Sequence, residues 1–194
     1  MNKRKIGICV CGSFCTFSRI LEQTQTLIEH YDVTPILSEA AAGTDTRFGR
    51  ATDFRTQIET ITGNPAITTL CRAEPIGPGR LFDMMVVAPC TGNTLAKLAH
   101  GITDSCVTMA CKAHLRNGLP VVLALSTNDG LSGNSANIGL LLARRLYYFV
   151  PFSQDDPTGK PHSLVADFAR IGETVEAALD GRQIQPVLGG AVIF

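Results

Sequence analysis

Residues 83–105, Asp83-Met-Met-Val-Val-Ala-Pro-Cys-Thr-Gly-Asn-Thr-Leu-Ala-Lys-Leu-Ala-His-Gly-Ile-Thr-Asp-Ser105, decide the reading of the fold. The run from Asp83 to Ala88 is almost wholly apolar, as a parallel strand buried on both faces requires. Pro89 lacks an N–H, so the ladder is expected to stop there. Cys90, Thr91, Gly92, Asn93 and Thr94 then form a small, polar turn that feeds directly into a helix carrying Leu95, Leu98 and Ala99. In open α/β sheets the carboxyl end of a central strand is where ligands bind, and the free amides of a helix start favour an anionic or electron-rich one.

Working outward, the same strand, turn and helix order recurs. Lys5–Cys11 reads as a first strand that meets Gly12-Ser13 before a helix with Phe17, Ile20, Leu21, Leu27 and Ile28 on one face. Gly12 permits the tight turn, and the Ser13 hydroxyl is suited either to a phosphate or, like Thr16, to a plain helix cap. Val33–Leu37 is a second strand that ends in Ser38 at the same edge, so Ser13 and Ser38 are expected to share one phosphate. Residues 39–49 read as a polar loop, in which Arg47 is either an anion contact or simply solvent-exposed. There is neither a G-x-G-x-x-G run nor a Walker lysine.

A helix is expected over Thr52–Thr62, a third strand at Ile67–Leu70 and an irregular loop at Glu74–Gly79. Beyond the central stretch, Asp104 is placed to cap a helix that runs to Leu115. Pro120–Leu125 is another buried strand, and the polar turn Ser126-Thr127-Asn128-Asp129-Gly130 follows it to the same edge. A helix at Asn134–Arg145, a last strand at Tyr147–Val150, a loop from Pro151 and one C-terminal helix at Leu164–Leu179 complete the chain, with a tail over about residues 181–194. The expectation is one α/β domain over residues 1–194, a doubly wound, mainly parallel sheet with helices on both faces.

Composition narrows the function classes. Lys plus Arg and Asp plus Glu are equal at 17 each, which argues against a nucleic-acid partner or an acidic membrane surface. Apolar runs are too short for a membrane span, and the first residues lead straight into a strand without a cleavage site, so a cytoplasmic protein is expected. The cysteines number seven, an odd count without C-x-x-C spacing, and read as reduced structural thiols rather than metal ligands.

Ala88-Pro89-Cys90-Thr91-Gly92-Asn93-Thr94, with Gly101, Thr103 and Asp104 behind it, resembles the P-A-S-A-N-T motif of flavin-containing cysteine decarboxylases and related flavoproteins. Together with Thr46-Arg47-Phe48-Gly49, Ser126-Thr127-Asn128-Asp129 and Gln154-Asp155-Asp156-Pro157, it is similar above all to the family of dipicolinate synthase B subunits of spore-forming bacteria. The resemblance implies a flavodoxin-like or Rossmann-like sheet, FMN as cofactor and an assembly built on trimers. It would place Ser13 and Ser38 on the FMN phosphate; Gly12, Pro89, Thr91, Asn93 and Thr94 along the cofactor; and Ser126, Thr127 and Asn128 over its ring, where a substrate carboxylate binds. It also implies a separate, NAD(P)-binding A subunit, a small dicarboxylate substrate and conversion of dihydrodipicolinate, or its hydrated precursor, to dipicolinate in the mother cell.

The chain departs from the decarboxylases at two places. The loop Ala73–Arg80 has no histidine, and Leu125–Asp129 stands where those enzymes carry P-x-M-N-x-x-M-W, with only the asparagine kept. Asn93, Asn128 and Arg47 are therefore the catalytic candidates, Asn93 and Asn128 as amide donors and Arg47 as the cation, with FMN as hydride acceptor. The alternatives are a flavin-dependent cysteine decarboxylase and a non-catalytic FMN- or nucleotide-binding partner subunit.

Overall fold

The computed structural model describes residues 3–189. Its first half is a succession of strand and helix: β1 (Lys5–Val10), α1 (Phe17–His30), β2 (Asp32–Leu37), α2 (Glu39–Gly43) and α3 (Ala51–Thr62). Two short helices, α4 (Leu70–Ala73) and α5 (Ile76–Gly79), precede β3 (Met84–Cys90), α6 (Gly92–His100), α7 (Cys106–Leu115) and β4 (Val121–Thr127). Then come α8 (Ser135–Leu142), β5 (Tyr147–Phe149), β6 (Phe152–Ser153), β7 (Leu164–Ala166) and α9 (Ile171–Leu179).

The first five strands are parallel in the order β2-β1-β3-β4-β5, the flavodoxin-like arrangement. Such a sheet is covered on both faces, which is why every residue of β3 and the first six of β4 are buried. α1 packs with α3 and α9, and α6 with α7 and α8, so the expected doubly wound sheet is borne out. Ile6, Ile8, Met85, Val86, Val122, Leu123 and Phe149 form the centre of one continuous core at 0% exposure.

Several expectations are corrected. The β3 ladder does not stop at Pro89: a register shift between Val87 and Cys90 absorbs the missing N–H, and Cys90 pairs with Leu125. Ile67 makes only an isolated bridge to Ile36, and the third strand expected there gives way to α4, capped by the Thr69 side chain on the Arg72 N–H. Residues 39–43 and 76–79, read as loop, are short helices.

The largest correction lies at Leu164–Leu179, which is strand, 3-10 turn and helix rather than one helix. β7 runs antiparallel to the end of β4, with Val165 opposite Ser126 and Leu164 opposite Thr127, and β6 pairs with β7 in turn. Unpaired backbone at the end of β4 outcompetes the helical periodicity of this stretch. The segment after Gly181 is anchored by Gln183, whose amide accepts from the Phe149 N–H and donates to the Phe149 carbonyl, each at 2.7 Å. Residues 190–194 of the expected tail lie outside the described residues.

Candidate functional site

The strand order reverses between β1 and β3, and the crevice of such a sheet opens at the carboxyl ends of those two strands. Two cavities of about 450 Å³ each occupy that edge and share Gly12, after β1, and Thr91, after β3. They form two lobes of one cleft that meet at these two residues.

The first lobe lies between β1 and β4. Ser13 and Ser126 line it, and their hydroxyls are 2.7 Å apart. Thr127, Asn128 and Gly92 complete its floor, while Arg19 from α1 and Asp155 and Lys160 from the β6–β7 connection form its rim. The second lobe lies between β1, β2 and α6 and is lined by Ser38, Glu39, Asn93, Thr94 and Lys97. A side chain at Gly12 would meet the Ala40 Cβ at 3.3 Å, so the shared neck tolerates only a minimal residue.

Local hydrogen bonding fixes the polar walls. Thr91 caps α6 by accepting from the Thr94 N–H, and its hydroxyl also meets that of Thr94 at 3.2 Å. The Thr94 hydroxyl reaches the buried Cys11 sulfur at 3.3 Å. Ser38 caps α2 on the Ala41 N–H, and Glu39 accepts the Cys106 N–H at the start of α7. Ser105, not Asp104, caps α7; Asp104 instead pairs with Lys97 at 2.8 Å, and the Lys97 ammonium holds its carboxyl below the usual range.

Behind the first lobe runs a chain of polar side chains. Asp129 accepts from the Thr127 hydroxyl and, at 2.8 Å, from the Asn134 amide. Asn137 donates to Asn134 at 2.9 Å, and His100 meets the Asn137 oxygen at 3.0 Å. Because the Thr127 proton is directed to Asp129, the Thr127 oxygen presents lone pairs rather than a donor to the lobe. Gly92 is required beside this chain: a Cβ there would stand 2.5 Å from both the Asn134 amide nitrogen and the Thr127 hydroxyl.

The expected site residues therefore divide. Gly12, Ser13, Thr91, Ser126, Thr127 and Asn128 line the first lobe, and Gly12, Ser38, Thr91, Asn93 and Thr94 line the second. Ser13 and Ser38 flank Gly12 from opposite lobes. Two candidates lie outside both lobes. Pro89 is buried within β3 and lines neither lobe, and Arg47 is exposed, stacked on its neighbour Phe48 at 4.8 Å and outside both lobes. Cys90 is a fully buried core thiol whose pKa burial pushes well up.

Sequence reasoning missed Arg19 and the chain from Asp129 to His100. Arg19 falls on the exposed face of α1 and gave no signal by itself; the spacing of Asp129, Asn134 and Asn137 gave none either. Among the described residues no group of three or more His, Cys, Asp or Glu side chains has the geometry of a metal site.

The Flavoprotein family model matches residues 1–138. The B subunit of dipicolinate synthase from Bacillus subtilis (strain 168) is 43% identical over 189 residues, 97% of this chain and 94% of that protein. The crystal structure of the corresponding B subunit from Bacillus halodurans C superposes with a TM-score of 0.89 at 45% identity, covering 99% of this chain and 100% of that one. At 21% identity, the FMN-dependent cysteine decarboxylase SpaF shares the fold alone, with a TM-score of 0.64 over 90% of this chain and 97% of that one. With a family model over most of its length and a full-length relative at this identity, the chain belongs to the Flavoprotein family, in the branch represented by the dipicolinate synthase B subunits.

Proposed function

We propose that this chain is the FMN-binding B subunit of a dipicolinate synthase, working on a dihydropyridine dicarboxylate or its hydrated precursor together with an NAD(P)-binding A subunit. The observation that carries the reading is the two-lobed cleft at the β1/β3 reversal, joined at Gly12 and Thr91 and walled by hydroxyls and amides. Its residues suit a phosphorylated, elongated ligand. The start of α6 offers free N–H groups to an anion, Gly12 admits close backbone approach, and Ser13, Ser126 and Thr91 supply hydroxyls along the length of the cleft.

Aromatising a dihydropyridine removes one hydride and one proton and keeps both carboxylates. Oxidised flavin supplies hydride acceptance when bound. Thr127 accepts an N–H from the ligand through its free lone pairs, and Asn93 and Asn128 offer amides from opposite turns. Among the described residues the lining of both lobes contains no histidine, in keeping with chemistry other than decarboxylation. Asp155, the one carboxylate among the described residues that line the first lobe, is held below the usual range by the Ser163 hydroxyl and is a poor base. This favours a second reading in which the chain binds FMN while the A subunit performs the redox step. An assembly built on trimers of this chain belongs to the same proposal.

Absorbance of the purified protein with and without added FMN, followed by anaerobic addition of dihydrodipicolinate, tests both readings. Bleaching of the band near about 450 nm supports hydride transfer on this chain. Bound flavin that stays oxidised assigns the redox step to the partner, and absence of flavin binding overturns the cofactor assignment.

A further inference from the structure

We infer that Arg19 and Lys160 form an oxyanion clamp at the rim of the lobe containing Ser13 and Ser126, built to take a carboxylate or phosphate oxygen pair. This deepens the reading of the cleft given above and rests on it only for the identity of the anion.

Arg19 sits in the first turn of α1, with its guanidinium carbon 4.8 Å from the ring centroid of Phe168. Phe168 is 1% exposed and is fixed by the turn between β7 and α9, so a side chain from the start of the fold rests on a ring from its end. Stacking of this kind orders the planar group while leaving its N–H fork unspent. Arg50, Arg55, Arg170 and Arg182 each pair with a carboxylate; Arg19 pairs with none among the described residues. Lys160 lies on the same rim, 3.4 Å from Asp155 in a loose and half-exposed contact. The charged lining of the lobe is thus two cations against one carboxylate.

A ring-stacked guanidinium without a carboxylate partner, lining the same lobe as a second cation and a pair of hydroxyls, matches bidentate recognition of a planar oxyanion. Arg47, the cation expected from the sequence, lines neither lobe. Lys160 and Phe168 both lie beyond residue 138, where the match to the family model ends, so half of the clamp comes from outside the matched region. Two ligands carry the right chemistry: a carboxylate of a pyridine dicarboxylate and the phosphate of FMN.

Cys15 provides the probe, since it lines the same lobe and is exposed, whereas Cys71 is exposed elsewhere and serves as the internal reference. Iodoacetamide labelling of both thiols is followed in the intact protein by peptide mass spectrometry. It is measured with pyridine-2,6-dicarboxylate, with FMN and with the neutral pyridine-2,6-dicarboxamide. The expected result is slower labelling of Cys15 with dicarboxylate, an unchanged rate at Cys71 and no protection by the dicarboxamide. Arg19→Gln should raise the half-protecting concentration about tenfold, with Arg19→Lys and Lys160→Gln falling between.

If Arg19→Gln instead weakens protection by FMN and spares that by dicarboxylate, the clamp stands and its anion is the cofactor phosphate. If neither ligand protects Cys15, or if Arg19→Gln changes neither half-protecting concentration, the clamp is overturned. An FMN titration by absorbance runs beside this test. Failure to bind FMN with dicarboxylate protection intact removes the flavin reading and leaves the clamp.

Discussion

The hydroxyls of Ser13 and Ser126 meet at 2.7 Å although 113 residues separate them, so the ends of β1 and β4 are tied together by side chains at the floor of the first lobe. Ser126→Ala leaves Ser13 facing solvent or ligand and removes one hydroxyl from the cleft. FMN binding, read by absorbance titration, should weaken by about 1 kcal/mol, roughly fivefold. Unchanged affinity would remove this pair from the cofactor site.

Gly92 stands where a methyl group meets side chains on three residues: Asn134, Thr127 and Asp129. These atoms belong to a connected hydrogen-bond chain and cannot retreat independently. Gly92→Ala should therefore destabilise the fold by about 1–3 kcal/mol, seen as a lower urea midpoint. A midpoint equal to that of the parent protein would mean the chain yields readily.

The Asp129 carboxylate accepts two hydrogen bonds, from the Thr127 hydroxyl and from the Asn134 amide, and donates none. Asp129→Asn replaces a charged acceptor of two hydrogen bonds by a neutral amide with one acceptor oxygen, a loss of about 1–3 kcal/mol. With that oxygen kept on the Asn134 amide, the new NH2 group donates to the Thr127 oxygen and the Thr127 proton turns to the lobe, which gains a donor. Two readouts check this, urea denaturation for the stability and ligand titration for the altered preference, and an isoenergetic variant would contradict the assigned polarity of the chain.

His114 is 1% exposed and its Nε2 lies 3.1 Å from the Pro120 carbonyl, which fixes the Nε2–H tautomer as donor. Burial lowers its pKa below the ordinary value of 6.5. As pH falls through that value the unfolded chain takes up the proton before the folded one does. The stability this ring contributes is thus present above pH 6.5 and is lost as pH drops toward the depressed folded value, at no more than about 1.4 kcal/mol per pH unit. Denaturation at a series of pH values should show this slope in the parent protein and its loss in His114→Gln.

Cys9, Cys11, Cys90, Cys106 and Cys111 are buried, and burial pushes the Cys11 and Cys106 thiols up to about 12. In the folded protein at neutral pH, iodoacetamide should modify Cys15 and Cys71 alone, with the other five reacting only after unfolding. Rapid native labelling of a third cysteine would show that the core opens.

The central part of this architecture was legible because its physics is local. The apolar run at Met84–Ala88 can only be a strand buried on both faces, and Thr91 is a helix cap wherever it stands before such a helix. Ser13, Thr91 and Ser126 were visible as the polar residues that end buried strands. What was hidden depends on partners far along the chain. Val165, Phe168, Ile171 and Val175 keep helical spacing, yet Leu164–Ala166 is a strand because Ser126 and Thr127 offer it backbone partners. Arg19 looks like any solvent-facing helix residue until Phe168 is brought beneath it. Arg47, in a polar loop, looked the better ligand, but it stacks on Phe48 and lines neither lobe.

The resting of Arg19 on Phe168 also sets an order on biosynthesis. A nascent chain released as far as residue 138 already carries the turns at Gly12, Thr91 and Ser126. At that moment β7 has not emerged to pair with the end of β4, Arg19 has no ring beneath it, and Lys160 is absent from the rim. The last strand pair and the turn at Phe168 thus complete the first lobe late in translation, and a ribosome-stalled chain short of them would carry an open sheet edge and a first lobe without its rim.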